Sequence, residues 1–303
     1  LITRRRTLAA ASTALFAAGL APAWAAGEIT VAFAGSMGVV MDRGIGPAFT
    51  KATGTAFHGI GQAAMALAHL LAAKTQMADV FVSVSAGPIK IVEKAGLASH
   101  ATPVASTSMV LAYSPKSKLA PQFAAAKGDD WTKILATPGI RIGRTDPRAD
   151  PQGQYVLYTL ELAEKYYKLP GFAAKVAGEP LNPAQIFAEP SLLARLQDGE
   201  IDATIGYESA VISQRLPFIA LPREINFSTP ALAKTWYDQA SLTLTVKGVT
   251  KTTHPSPLVF YATALNNAAN PQAAAAFVKF LEGPDGARLF ALYGYNPGMG
   301  PRI

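Results

Sequence analysis

Two stretches of this chain carry residues whose types and spacing suit binding through hydrogen bonds, in the second case the binding of a small anion. One is Ala34-Gly35-Ser36-Met37-Gly38, where a hydroxyl follows a short β-type run. The other is Arg144-Thr145-Asp146-Pro147-Arg148-Ala149-Asp150-Pro151-Gln152-Gly153, which leads into a helical pattern starting near Gln154 and running to Tyr167. A strand, a polar turn and a helix in that order leave the helix's first amides without internal partners, at the positive end of its macrodipole, a common seat for an anion. Asp150 has a competing reading as the residue that caps this helix. Ser36 reads as a hydrogen-bond donor or an N-cap; a nucleophilic role would need a base, and nothing in the chain supplies an assignable one. Gly-x-Ser-x-Gly and the Walker phosphate loop are absent from the sequence. The four histidines, His58, His69, His100 and His254, have no metal-ligand spacing. Binding, not catalysis, is the expectation, with no cofactor.

The elements that must hold these residues alternate in type. Ile29–Phe33, Ala56–His58 and Asp79–Ser83 read as strands, separated by helices ending at Gly54 and near Lys74. Gly59–Gln62 reads as a turn and Ile140–Gly143 as a buried strand. Further strands are expected at Ser108–Tyr113, Ala203–Tyr207, Phe218–Leu221, Leu242–Val246 and Leu258–Thr263. Helices are expected at Trp131–Leu135, Ser191–Gln197, Glu208–Arg215, Pro271–Leu281 and Asp285–Leu292, and a polar loop over Ser114–Gly128. Short βα units argue for mostly parallel sheets flanked by helices, in two lobes with a cleft off the strands' carboxyl ends. Met65, Met77 and Met109 are expected in the core.

The chain has 303 residues, half of them hydrophobic, which is ample for two such lobes. Residues 1–25 read as an export signal: Arg4-Arg5-Arg6, an apolar run from Leu8 to Leu20, and Ala23-Trp24-Ala25 as the cleavage pattern. The arginines also suit a twin-arginine signal. Without that segment the chain carries 24 basic and 20 acidic residues, a formal +4. Such a field helps a small anion approach but lacks the basic runs of a nucleic-acid binder. Having no cysteine, the exported chain is built without disulfides.

Taken in order, the export signal, Val31-Ala32-Phe33-Ala34-Gly35-Ser36-Met37 and Ala78-Asp79-Val80-Phe81-Val82-Ser83-Val84-Ser85 resemble the opening of periplasmic molybdate-binding proteins of ABC transporters. Gly143–Gly153, Leu192-Leu193-Ala194-Arg195-Leu196-Gln197-Asp198-Gly199-Glu200-Ile201-Asp202 and Phe218–Asn226 are similar to the tungstate/molybdate branch of that family. The resemblance implies a type II periplasmic-binding-protein fold, α/β, with residues 26–108 plus 226–303 as lobe I and 109–225 as lobe II. It implies a periplasmic monomer that closes on a tetrahedral oxyanion and delivers it to an ABC transporter permease. Carried over by position, Ser36 is the first donating serine and Asp150 the carboxylate offered to the tungsten or molybdenum of the ligand. Gln152, Gly153 and Gln154 form the backbone-donor turn, Tyr207 is a hydroxyl donor, and Ser191 lies near another helix start aimed at the ligand. Two positions depart from the pattern. Gly61-Gln62-Ala63-Ala64 lacks the second serine, leaving Gly61 or Gln62 to replace it. The glutamate expected before the tyrosine is absent, and Glu208 follows it instead. Asp150 therefore has three readings: metal ligand, acceptor for a protonated anion such as hydrogen phosphate, or helix cap. Other anions, including small organic carboxylates, and a sensor or partner subunit that has lost its ligand remain alternatives, with a secreted hydrolase using Ser36 behind them.

Overall fold

The computed structural model describes residues 27–246 and 248–303; the export signal expected over 1–25 lies outside them. Eleven strands are formed among the described residues. The first four are β1 (Glu28–Ala34), β2 (Ala56–Gln62), β3 (Val80–Ser83) and β4 (Thr102–Ser106). Next come β5 (Met109–Tyr113), β6 (Ala203–Tyr207) and β7 (Phe218–Ala220). The rest are β8 (Leu242–Val246), β9 (Val249–Thr253), β10 (Val259–Ala264) and β11 (Asn296–Pro297).

One sheet has six strands in the order β11-β4-β10-β3-β1-β2, and a second has three in the order β6-β5-β7. The first draws on 28–106 and 259–297, the second on 109–220, so the chain crosses between two α/β lobes and returns. The sheets are not mostly parallel. β1 runs parallel to β2 and β3, but β10 is antiparallel to both β3 and β4, and the second sheet is antiparallel throughout. Strand direction is a tertiary property: β10 reads as an apolar run whichever way it enters the sheet, so pattern cannot fix its sense.

Burial explains the strand positions. All four residues of β3 and all five of β5 are buried, as expected for central strands covered on both faces. All five of β6 are buried although it is an edge strand, since the bridge from Ile142 to Ala203 covers its outer side. The core of the first lobe includes Phe49, whose ring meets Phe277 edge-on at 4.9 Å. The helix Gly46–Thr53 stops at Gly54, whose φ of +74° forms the left-handed cap. Several local expectations are corrected. Ile140–Gly143 is no strand: it forms a single bridge, Ile142 to Ala203, with another, Arg144 to Ile186, just beyond it. The turn expected at Gly59–Gln62 is the end of β2, which pairs with β1 through Gln62. A helix, Ala120–Ala125, interrupts the expected loop, and another, Phe172–Ala177, had no sequence signal strong enough to mark it. Of the three methionines, Met109 is fully buried, whereas Met77 is 52% exposed.

The two crossings are laced together. Thr107 N–H donates to Leu258 O (3.1 Å), Met109 N–H to Asn226 O (2.8 Å), and Leu258 N–H to Phe227 O (3.0 Å). Phe227 is buried yet holds φ at +60°, a conformation a bulky residue rarely adopts. Its ring is clamped between Tyr155 at 5.0 Å and Tyr237 at 4.9 Å. Among the described residues no helix is long and apolar enough to cross a membrane.

Candidate functional site

The strand end that carries Ser36 and the end of β2 lie side by side, because Phe33 pairs with Gly61 and Ala34 with Gln62. Gly61 is required by packing: a Cβ there would lie 2.8 Å from the Phe33 ring. These two neighbours open onto two cavities. Gly61 and Ser36 line the larger, ≈ 350 Å³. Gln62 lines the smaller, ≈ 230 Å³, together with Ala63, Asp150 and Ala188.

The smaller cavity has an unusual wall. Ala63, Asp150 and Ala188 are the N-caps of three separate helices, Ala64–Ala72, Pro151–Tyr166 and Glu189–Asp198. Each helix start carries roughly half a positive elementary charge and amides with no helical acceptor. Ala63 and Ala188 bring no side-chain cap to their helices. Three helix starts thus gather around this cavity, although the surface it exposes is almost wholly apolar. The lobes touch at this place, since Ala66 N–H in the first turn of one helix donates to Ala149 O (3.1 Å) in the other lobe.

The helix start at Asp150 is built differently from the sequence expectation. It begins at Pro151, with its missing N–H harmless at that position. Asp150 Oδ1 accepts from Gln152 N–H (2.8 Å), so Asp150 does cap the helix. Gly153 N–H donates to Thr145 Oγ1 (2.8 Å). The amides of Gln152 and Gly153, expected to face a ligand, are thus engaged within the lobe. The helices after Ala63 and Ala188 lack a side-chain cap, but Ala66 N–H is given to Ala149 O, Ser191 N–H to Ala188 O (3.0 Å), and Pro190 has no N–H. Gln152 is a strut: its Oε1 accepts from Thr145 N–H (2.8 Å) and Thr145 Oγ1 (2.9 Å), while Nε2 donates to Ile205 O (2.7 Å) on β6. Gly153 permits the close approach, as a Cβ would sit 2.2 Å from Thr145 O. Gln154 Nε2 closes the turn on Pro147 O (2.8 Å). Thr145, the residue that organises all of this, was not singled out by the sequence. The only available signal was a threonine seven residues before a glutamine, too common to carry weight.

Charge along the turn alternates. Asp146 is clasped by Arg148, with Nε 3.0 Å from Oδ1 and Nη2 2.5 Å from Oδ2. Those hydrogen bonds, opposed by burial, hold the Asp146 carboxyl below its ordinary range. Arg144 is fully buried, with Nη1 donating to Pro180 O (2.7 Å), Nη2 to Glu179 O (3.0 Å) and Nε to Gln185 Oε1 (3.0 Å). Burial lowers its pKa, and the charge of Asp146 opposes that. Arg144 also ties down the segment that leads through Phe187 into the Ala188 helix start, because Phe187 N–H donates to Arg144 O (2.9 Å).

Tyr207 is buried at the end of β6, opposite Met109, and caps the helix Glu208–Ser213. Glu208 belongs to that helix and not to the strand. Its N–H donates to Ser108 O (2.8 Å) and its Oε2 accepts from Ser108 Oγ (2.7 Å), which ties it to the crossing segment. It lines neither cavity. Ser191 Oγ turns back to its own helix start, donating to Ala188 O (3.0 Å). The structure therefore sets Gln62 and Asp150 on one cavity and Ser36 and Gly61 on the next, with Gln152–Gln154 behind Asp150.

A two-lobed α/β frame of this topology, with helix starts gathered where the lobes meet, defines a type II binding protein. The chain belongs to the bacterial extracellular solute-binding protein family, whose model matches residues 29–296. An uncharacterized solute-binding protein of Petrotoga mobilis is 35% identical over 201 residues, 65% of this chain and 60% of that protein. The molybdate/tungstate-binding protein WtpA of Pyrococcus abyssi is 30% identical over 205 residues, 61% of this chain and 58% of its own length. The chain thus aligns with about three fifths of each of these two relatives. Among solved structures, the Azotobacter vinelandii periplasmic molybdate-binding protein superposes with a TM-score of 0.62 at 16% identity, covering 90% of this chain and 99% of that one. At that identity the likeness concerns the fold. Family and neighbours are binding proteins, not enzymes.

Proposed function

We propose that this chain is a periplasmic receptor, exported by its leading segment, which captures a tetrahedral oxyanion and delivers it as a monomer to the permease of an ABC importer. Molybdate and tungstate are the leading ligands, and no chemistry is performed on them. The observation that carries this reading is the gathering of three helix starts, at Ala63, Asp150 and Ala188, on one small cavity at the meeting of the lobes. The relatives' molybdate and tungstate binding supports the choice of ion. In this reading Gln62 with the amides after Ala63 takes the place of the second family serine, while Ser36, on the adjoining cavity, and Tyr207, which lines neither cavity, bring their hydroxyls to the ion only as the lobes close. Lobes 26–108 plus 226–303 and 109–225 close by bending at the two crossings.

One feature favours a second ion. Asp150 is an acceptor on the cavity wall, and a fully deprotonated oxyanion offers it no hydrogen. Hydrogen phosphate does, so phosphate is the runner-up unless Asp150 bonds the metal. Thermal unfolding of the purified mature chain with tungstate, molybdate, sulfate and phosphate separates these. A ligand at about 100 times its Kd should add roughly 2.7 kcal/mol. Stabilisation by tungstate or molybdate at micromolar concentration is the expected result, and absence of any shift with both removes the leading choice. Asp150→Asn retains the capping oxygen and should leave unliganded stability within a few tenths of a kcal/mol. If it abolishes tungstate binding while phosphate binding persists, the carboxylate bonds the metal.

A further inference from the structure

The lobes meet again beside the larger cavity, end of helix against end of helix. In the second lobe the contact comes from the end of Glu208–Ser213. Val211 of that helix is buried in the core of its own lobe, whereas Ile212 is 37% exposed. In the first lobe it comes from the end of Pro284–Leu292. Tyr293 caps that helix, and Gly294 follows at φ +81°, the left-handed turn that suits glycine.

A helix end leaves its last carbonyls without helical donors. Tyr293 O is satisfied from the other lobe, because Ser213 Oγ donates to it (3.0 Å). Ile212 fills the space beside Gly294, where a Cβ would meet its Cγ2 at 2.7 Å and its Cδ1 at 2.9 Å. Glycine is thus needed twice at 294, for the turn and for the isoleucine of the opposite lobe. The same short segment supports the Ser36 turn. A Cβ on Gly44, in the π-turn Met41–Ile45 that follows Ser36, would lie 2.8 Å from the Tyr293 ring, and Tyr295 Oη donates to Ser36 O (3.4 Å). Arg43 of that turn and Gln214 beside Ser213 line the larger cavity with Ser36, which sets the contact at its rim.

We propose that Ile212 and Ser213 form a latch that docks on Tyr293 and Gly294 and keeps a sizeable share of the molecules closed before any ligand enters. Its contacts are made by the protein's own atoms, so they favour closure whatever ion the cleft takes, and each ligand gains in proportion to the closed share. One such hydrogen bond, or one isoleucine packed on the glycine, is worth roughly three- to ten-fold in the closed-to-open ratio.

The chain has no cysteine, so a pair of labels can be placed freely. Lys51→Cys in one lobe and Lys175→Cys in the other, both exposed, carry nitroxides whose separation is read by double electron–electron resonance in the unliganded mature chain. The expected result is that the shorter, closed distance is populated without ligand. Ile212→Ala and Ser213→Ala should each move population to the longer distance, and the double variant more than either. Leu292→Ala, 70% exposed at the same helix end, should move none. A wild-type distribution holding the longer distance alone, latch variants that match it, or an equal shift with Leu292→Ala overturns the latch. Because nothing is bound, this result stands or falls apart from the choice of anion. In titrations with tungstate and phosphate, the latch variants should weaken every ion that binds by one common factor. Loss confined to one ion would make Ile212 and Ser213 part of the binding site and overturn the latch.

Discussion

Around Asp150 the decisive side chains are those that spend their hydrogen bonds inside the protein. Gln152 makes four bonds from one buried side-chain amide, two to Thr145 and two to β6, on Ile205 O and, longer at 3.5 Å, on Thr204 Oγ1. Truncating it strands a buried threonine hydroxyl and amide and a strand carbonyl, each costing about 1–3 kcal/mol. Gln152→Ala should therefore lower stability by about 3 kcal/mol or more in urea titration and weaken oxyanion binding ten-fold or more. Gly153→Ala tests the same turn by crowding: the methyl would meet Thr145 O at 2.2 Å, and relief requires the turn to move. A loss of at least ~2 kcal/mol is expected for it. Wild-type stability in both variants would mean that Thr145 does not hold the turn in solution.

Among the elements, the helix Pro151–Tyr166 joins the site to the rest of its surroundings. One end carries Asp150; along its length Tyr155 O–H donates to Ser256 O (2.6 Å) in the returning segment. Burial, outweighing the hydrogen bonds from Ser256, pushes the Tyr155 phenol up to about 12 from its ordinary 10. The folded state thus favours the neutral phenol. Its contribution is complete below pH 10 and is lost as pH rises to about 12, at most ~2.7 kcal/mol for two units. Tyr158, Tyr167, Tyr237 and Tyr261 are raised as well, by burial, and steepen the same limb. Tyr155→Phe should be about 1 kcal/mol less stable at neutral pH and lose less than wild type between pH 10 and 12. Denaturant midpoints across that window check this; parallel alkaline slopes would place Tyr155 in contact with solvent.

At the scale of the molecule, everything depends on two crossings and on how the lobes meet. Phe227 stands at the return crossing with φ at +60° and an aromatic ring locked by Tyr155 and Tyr237. The ring's packing, about 3–5 kcal/mol, holds the backbone in a conformation that costs a non-glycine residue ~1–2 kcal/mol. Phe227→Ala and Phe227→Gly both lose the ring, but only the alanine variant keeps the backbone penalty. The glycine variant should therefore be the more stable of the two by ~1 kcal/mol, the reverse of the order at most sites. Equilibrium unfolding of both variants decides it. Because the segment links the lobes, the two should also differ in their response to bound oxyanion.

The sequence by itself determined the family, the alternation of short strands and helices, and the approximate position of most elements. Hydrophobic period and glycine stops are local, so Met109–Tyr113, Ala203–Tyr207 and Pro271–Glu282 lie within a residue or two of where pattern set them. The same locality made the helix cap one of the readings of Asp150, and it is the one the hydrogen bond to Gln152 N–H bears out. Only the tertiary structure decided strand direction, because β10 enters antiparallel by a long return that no local pattern encodes. Only it decided that Gln152 and Gly153 give their amides to Asp150 and Thr145, while Ala63 and Ala188 begin helices without a side-chain cap on the same cavity. Residues 63, 150 and 188 are far apart in the chain, and alanine carries no chemical signature. Their meeting is a matter of lobe packing, which is why the gathering of three helix starts was invisible in the residues that form it.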